Sequence, residues 1–281
     1  MTLRFALRAL AASAALSFVC SMPAQAAQSV KTVESGKLTY GVAATFAPFE
    51  FTRGGVLTGF DIDLITAIAK QMQLTPEAQN MQFSGLIPAL QGGRLDIINS
   101  AMYITPARSA QVDFVPYLRL GDRIIVQAAN PAKITGRDDS LCGKNVAVTL
   151  GGIEETYARA DVKRCTAAGK PAPNVMTLPT AQDSALSLRQ GRADAIYDST
   201  PGTVQLLAEV PGVYAAVGPE FEQTTSIGFA VPKGNTAMAA ALKDALSKVV
   251  AQGTYRQLID KWKLPASVSI FDASTATAKA N

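Results

Sequence analysis

Arg108 is the residue whose type and position could do binding chemistry. It sits in the stretch Ser100 to Tyr117, two residues past Thr105-Pro106 and shortly after the apolar run Leu95-Asp96-Ile97-Ile98-Asn99. That run reads as a buried strand ending near Ser100, and open α/β sheets place ligands at the carboxyl ends of their strands. Proline has no N–H and restricts the residue before it, so regular pairing stops at Thr105-Pro106. A guanidinium held there offers a planar fork of donors to a carboxylate; the alternative is a solvated arginine at a helix start. Gly151-Gly152-Ile153-Glu154 is a second candidate, a tight turn opening a helix whose unpaired N–H groups suit an anion, or else an ordinary strand–helix turn. Phe46 and Phe83, each at the edge of an element, form a third. Two aromatic rings could sandwich a ligand side chain and attract a cationic group, or simply pack the core. The chain contains no histidine, which excludes a histidine zinc site and any His-dependent triad.

These residues need a framework, and the apolar patterning supplies one. Residues 37–42 read as a strand, followed at its carboxyl end by the aromatic-bearing loop 43–49. Residues 61–73 form an amphipathic helix, with Leu64, Ile65, Ile68, Ala69 and Met72 on one stripe and Asp61 and Asp63 at the dipole-favoured start. A second helix opens at Phe83 and stops at Gly92-Gly93. Strands and helices in alternation imply a parallel α/β layer. After a short strand at 124–126 the pattern begins again: strand 146–150, helix 154–160, strand 174–178, helix 181–190. Gly93-Arg94-Leu95-Asp96-Ile97-Ile98 is echoed by Gly191-Arg192-Ala193-Asp194-Ala195-Ile196, and each copy is followed by a Thr-Pro. Two similar lobes in one chain are the plain inference. Strands at 213–217 and 227–231 and helices from 235 to 261 complete the pattern. The expected division is a first lobe of 27–120 plus 225–264, a second lobe of 121–224, and a loose Ala/Ser/Thr-rich tail at 265–281. Two crossings, at 117–121 and 223–227, make a hinge with a ligand cleft between the lobes.

Residues 1–26 read as a secretory signal: Arg4 and Arg8, an apolar middle, and Ala24-Gln25-Ala26 as the cleavage site. Removing that segment takes 26 basic against 22 acidic residues to 24 against 22, a net charge of +2 that argues for no nucleic-acid partner. Export also removes Cys20 and leaves Cys142 and Cys165, most simply a disulfide in an oxidising compartment.

Four motifs then occur in order: Gly59-Phe60-Asp61-Ile62-Asp63-Leu64, Phe83-Ser84-Gly85-Leu86-Ile87-Pro88-Ala89-Leu90, Ile104-Thr105-Pro106-Ala107-Arg108 and Val112-Asp113-Phe114. Together they resemble the periplasmic solute-binding proteins of polar amino-acid ABC transporters, over roughly residues 37–264. The resemblance implies a type II two-lobed periplasmic-binding-protein fold, two α/β lobes joined by two hinge strands. It implies a monomer that delivers a small carboxylate-bearing ligand, an amino acid or derivative, to an inner-membrane ABC permease, with no cofactor, no metal and no chemistry of its own. In such proteins Arg108 anchors the carboxylate, while Ser100, Ala101 and the residue at Tyr103 add contacts; a serine or threonine is usual at Tyr103, so the tyrosine walls the pocket. The helix start at Gly152, Ile153 and Glu154 supplies backbone donors, with Ile153 where a threonine is usual. An acid usual at Ala43 is absent. The aspartate expected to meet an α-ammonium is displaced by one residue, leaving Asp198 or Ser199 for that role. A periplasmic dehydratase of the cyclohexadienyl type resembles the same proteins and would use Glu154, Glu155 or Asp198 as its acid.

Overall fold

A computed structural model describes residues 30–271, so the expected signal segment and the last ten residues lie outside the described chain. The first lobe grows from β1 (Lys37–Val42), an apolar strand buried along almost its whole length, as a strand covered on both faces must be. It is flanked in parallel by β5 (Thr75–Asn80) and β6 (Ile97–Ile98). The second lobe repeats this arrangement: β8 (Asn145–Thr149) lies between parallel β9 (Asn174–Leu178) and β10 (Ala195–Ser199). The echoed aspartate does the same work in both copies. Asp96 accepts the Thr39 N–H at 2.7 Å while its own N–H donates to the Thr39 carbonyl at 2.8 Å. Asp194 repeats the exchange with Asn145, at 2.8 and 2.7 Å. Each closes the mouth of a βαβ unit.

The two halves are joined by two long antiparallel strands, β7 (Val112–Gln127) and β11 (Tyr214–Pro232), at the centre of an eight-stranded sheet ordered β5-β1-β6-β11-β7-β10-β8-β9. The short strands expected at 124–126, 213–217 and 227–231 are parts of these two. Pro116, Gly121, Gly218 and Pro219 are breaks in the sequence, but the ladder absorbs them as register shifts between Val217 and Phe221, Phe221 and Thr225, and Ile227 and Gly228. The two segments expected to cross between lobes pair with each other: Leu118 with Ile227, Arg119 with Ser226 and Leu120 with Thr225.

α1 (Phe60–Gln71) buries Phe60, Leu64, Ile65, Ile68 and Ala69 in the main core as its stripe requires. Asp61 is fully buried as well, while Asp63 accepts from Trp262 Nε1 at 2.6 Å and Lys261 Nζ at 2.7 Å. Phe83 opens a 3-10 turn that leads into α2 (Leu86–Gln91). Between β1 and α1 the chain builds a small meander, β2 (Thr45–Phe46), β3 (Glu50–Arg53) and β4 (Val56–Thr58), whose first strand falls in the loop expected over 43–49. After β6 comes a single turn, α3 (Pro106–Ser109), capped by the Thr105 side chain, which accepts the Arg108 N–H.

In the second lobe α4 (Ile153–Ala167) runs well past the expected end at 160, because its last turns carry Asp161 and Cys165 inward. Cys165 is bonded to Cys142, clipping this helix to the loop before β8. Asp161 takes the Tyr197 hydroxyl at 2.8 Å and the Arg137 Nε at 3.0 Å. α5 (Ala181–Arg189) and α6 (Thr200–Glu209) complete the lobe. α7 (Thr236–Ala251) and α8 (Thr254–Lys261) return to pack on α1. The expected loose tail departs from that reading in its described part: Ala266–Val268 is a 3-10 turn, Val268 and Ser269 are buried, and Phe271 stands edge-on to Tyr255 at 5.1 Å. Apolar Val268 and Phe271 sit against the first lobe, so the polar composition around them is not decisive.

Candidate functional site

A cavity opens between the lobes at the carboxyl ends of β1, β6, β8 and β10. The first lobe contributes Phe46, Glu50, Phe83, Ala101 and Tyr103. The second contributes Thr149, Gly152, Ile153 and Glu154 from the β8–α4 turn, Gln182 and Ser184 from α5, and Tyr197 and Asp198 from β10. Gln205 and Glu209 on α6 complete its far side. The structure thus brings together Phe46, Phe83, Ala101, Tyr103, Gly152, Ile153, Glu154 and Asp198 from the sequence-predicted set. Ser100, Arg108 and Ser199 stand just outside the lining, each with an identifiable partner.

Arg108 is held at the junction of the lobes. Its Nη1 donates to the Tyr103 carbonyl and its Nη2 to the Gly151 carbonyl, both at 2.8 Å, and its guanidinium carbon lies 5.3 Å from the Phe83 ring centroid. Burial lowers its pKa, while the fields of Glu154 and of the tyrosines Tyr103 and Tyr157 oppose that shift. Phe83 therefore faces a cation of the protein itself. Phe46 sits in β2 with its ring 5.4 Å from Phe49 and still borders the cavity.

Behind the wall of the first lobe lies a buried polar network. Ser100 Oγ donates to Glu50 Oε1 at 2.9 Å and accepts the Ala43 N–H at 3.0 Å. The Ala101 N–H, expected to face a ligand, donates instead to Asp61 Oδ2 at 2.8 Å, and the Tyr117 hydroxyl donates to the same oxygen. Burial pushes Asp61 up to about 6 and raises Glu50 well above the carboxylate range. Ser100 thus shapes the loop from behind, the Ala101 N–H is turned inward although the residue borders the cavity, and Glu50, which the sequence reading did not single out, carries a network carboxylate to the cavity. Its only sequence signal is a lone acid after the aromatic loop, since its partners Ser100 and Asp61 are distant in the chain.

On the second lobe, Gly151 has φ 77°, in the left-handed region that glycine tolerates, and a Cβ on Gly152 would collide with Glu154 Oε2. The backbone thus favours glycine at 151, while a side chain at 152 would push the Glu154 carboxylate aside. Glu154 is only 7% exposed, and burial raises its pKa against the opposing pull of Arg108. Asp198 is raised well above its usual range, by burial first and by Glu154 second. Asp122, on β7, is likewise raised by burial, then by Glu154 and Asp198, and accepts from the Tyr103 hydroxyl at 3.3 Å. Of the two alternatives at the end of β10, Asp198 borders the cavity, whereas Ser199 caps α6 and accepts the Gly202 N–H at 3.1 Å. Among the described residues no cluster of acids and cysteines is arranged to hold a metal ion, and no helix is long and apolar enough to cross a membrane.

Four acids, four aromatic rings and one nearby guanidinium suit a small polar solute that carries positive charge. The sequence model of the bacterial extracellular solute-binding proteins, family 3, matches residues 38–265. The ABC transporter arginine-binding protein 1 of Escherichia coli (strain K12) is 32% identical over 232 residues, covering 80% of this chain and 90% of that protein. An ancestral arginine-binding protein, solved bound to arginine, superposes with a TM-score of 0.75 at 35% identity, covering 81% of this chain and 98% of the other. An ancestral amino-acid-binding protein described as a precursor of cyclohexadienyl dehydratase superposes at 0.70 with 33% identity, covering 81% and 95%.

Proposed function

The chain belongs to the bacterial extracellular solute-binding proteins of family 3, two-lobed α/β proteins that serve amino-acid ABC transporters, and we propose that it captures an amino acid or a derivative bearing positive charge in the cavity between its lobes. The observation that carries this reading is the lining: aromatic Phe46, Phe83 and Tyr103 from one lobe face Glu154 and Asp198 from the other, with Arg108 at the junction. The ligand ammonium is taken by Asp198, whose buried carboxylate gains from a cationic partner. The ligand carboxylate is taken by Arg108, which has five donors and spends two on backbone carbonyls. A distal amino or guanidino group lies against the rings and Glu209; the relatives named for arginine binding support a basic ligand but not a particular placement.

In this reading the protein is exported by its N-terminal signal, acts as a monomer outside the cytoplasmic membrane, and hands its ligand to a membrane permease without chemical change. The lobes divide at the paired segments 117–121 and 223–227, where the ladder slips register and rotation is least hindered. The likeness to a dehydratase precursor does not favour an enzyme, because that relative is itself described as an amino-acid-binding protein. A thermal-shift screen of amino acids, their amines and opine-like acids tests the proposal: a concentration-dependent rise in melting temperature with a basic amino acid is expected. No shift with any amino acid, together with aromatic product from prephenate or arogenate, would replace it with the dehydratase reading.

A further inference from the structure

We propose that Glu154 is a specificity-determining residue of this cleft, an internal carboxylate that competes with the carboxylate of a ligand and so selects ligands of net positive charge; the inference rests on the amino-acid reading above. Glu154 is the second residue of α4, lines the cavity and is buried. Its carboxylate folds back to accept its own backbone N–H and lies against Gly152, where any side chain would displace it. The neighbouring Gly151 N–H is also taken, by Glu155 Oε2 at 2.9 Å. The helix start that could greet an incoming anion is therefore already supplied with two carboxylates of the protein's own.

The surrounding charges sharpen the effect. Four acids line the cavity, Glu50, Glu154, Asp198 and Glu209, and among the described residues no lysine or arginine does. Asp122 stands behind them with one buried oxygen that has no hydrogen-bond partner among the described residues. Arg108 is the cation whose field acts on Glu154 most among the described residues, and its guanidinium is tethered to the Tyr103 and Gly151 carbonyls. A ligand carboxylate that approaches Arg108 must share it with Glu154, and like charges at short range in a poorly solvated cleft repel strongly. A zwitterion with no further charge meets this repulsion uncompensated. A ligand with an added cationic group, or with its carboxylate removed, does not. An acid needed only to favour the helix dipole would act as well from an exposed position; Glu154 is instead turned into the cavity.

Calorimetric titration of three probes separates these roles: arginine, citrulline, which has the same shape but an uncharged side chain, and agmatine, which lacks the carboxylate. Glu154→Gln should tighten citrulline, leave arginine nearly unchanged and weaken agmatine, lowering the arginine-to-citrulline affinity ratio by roughly tenfold or more. Glu154→Ala serves as the second variant, and should move the ratio the same way even if the glutamine variant fails to fold. A ratio unchanged within about threefold of wild type, in a variant that melts like wild type, overturns the role of Glu154 while leaving the amino-acid reading intact. Failure of all three probes to bind wild type and variants alike would overturn the amino-acid reading, and this inference with it.

Discussion

Arg108 of the first lobe donates through Nη2 to the backbone carbonyl of Gly151 in the second, at 2.8 Å, and so joins the two sides of the cleft. The joint is small: across the mouth, the Arg53–Glu209 pair at 3.8 Å is exposed and adds little. In the proposed reading, opening is controlled at the paired segments of β7 and β11. Arg108→Ala should widen the ligand-free particle, and a bound ligand should contract the wild type. Small-angle X-ray scattering reads both; equal radii of gyration for the free wild type, the free variant and the ligand-saturated wild type would argue against a hinge at those segments.

The Cys142–Cys165 bond closes a loop with a sequence separation of 23 and ties α4 to the segment before β8, away from the cavity. In the chain-entropy account such a loop contributes roughly 3 kcal/mol. Reduction should lower the urea midpoint accordingly and leave ligand affinity within about twofold. Protein recovered from the periplasm should show no alkylatable thiol by intact mass, and two labelled thiols would contradict the clip.

Glu50 and Asp61 sit in one buried polar network in the first lobe, with Ser100 donating to the first and Tyr117 and the Ala101 N–H donating to the second. Tyr40 lies in the same field, its pKa raised to about 12 by burial and by Asp61. Because both carboxyls are raised in the folded state, the native protein keeps protons that the unfolded chain has released. Their contribution to stability is therefore greatest below the unfolded carboxylate range and is lost as pH rises through the folded values, the Asp61 value being about 6. Glu50→Gln keeps an acceptor for Ser100 and removes the titration. Melting temperature followed across weakly acid to neutral pH should fall less steeply in this variant than in wild type; parallel curves would contradict this linkage.

Asp198 and Ser199 are neighbours with different tasks, one bordering the cavity and one capping α6. Asp198→Asn should weaken an α-amino acid by roughly tenfold or more while barely affecting its deaminated analogue. Ser199→Ala should instead cost about 1 kcal/mol of stability through the lost cap. Equal loss for both ligands in Asp198→Asn, measured by calorimetry, would remove the ammonium contact from the account.

Much of the framework is legible in the sequence because its signals are local. The apolar runs of β1, β8 and β9, the stripe of α1 and the echoed Asp96 and Asp194 all declare themselves within a few residues. β7 and β11 do not, since Pro116, Gly121, Gly218 and Pro219 punctuate strands that only their mutual pairing keeps continuous. The β2–β4 meander escapes for a different reason: strands of two to four residues carry too little periodicity to read. At the site, residue types and order single out Arg108 and the turn at Glu154, and the family resemblance singles out Asp198; Glu154 and Asp198 border the cavity and Arg108 lies just outside its lining. Residue types and order cannot reveal that Arg108 is tethered to two carbonyls, that the Ala101 N–H serves Asp61, or that Glu50 lines the cavity, because those facts depend on partners brought together by folding.

The central claim is that an amino-acid ligand is held between the lobes with its carboxylate at Arg108. Calorimetric titration of wild type and Arg108→Ala with the best ligand from the screen tests it most directly. One site per chain is expected in the wild type, and truncating one side of a desolvated charge pair costs on the order of 2–5 kcal/mol, so affinity should drop roughly 30- to several-thousand-fold in the variant. Binding of that ligand by Arg108→Ala within about threefold of wild type would contradict the claim.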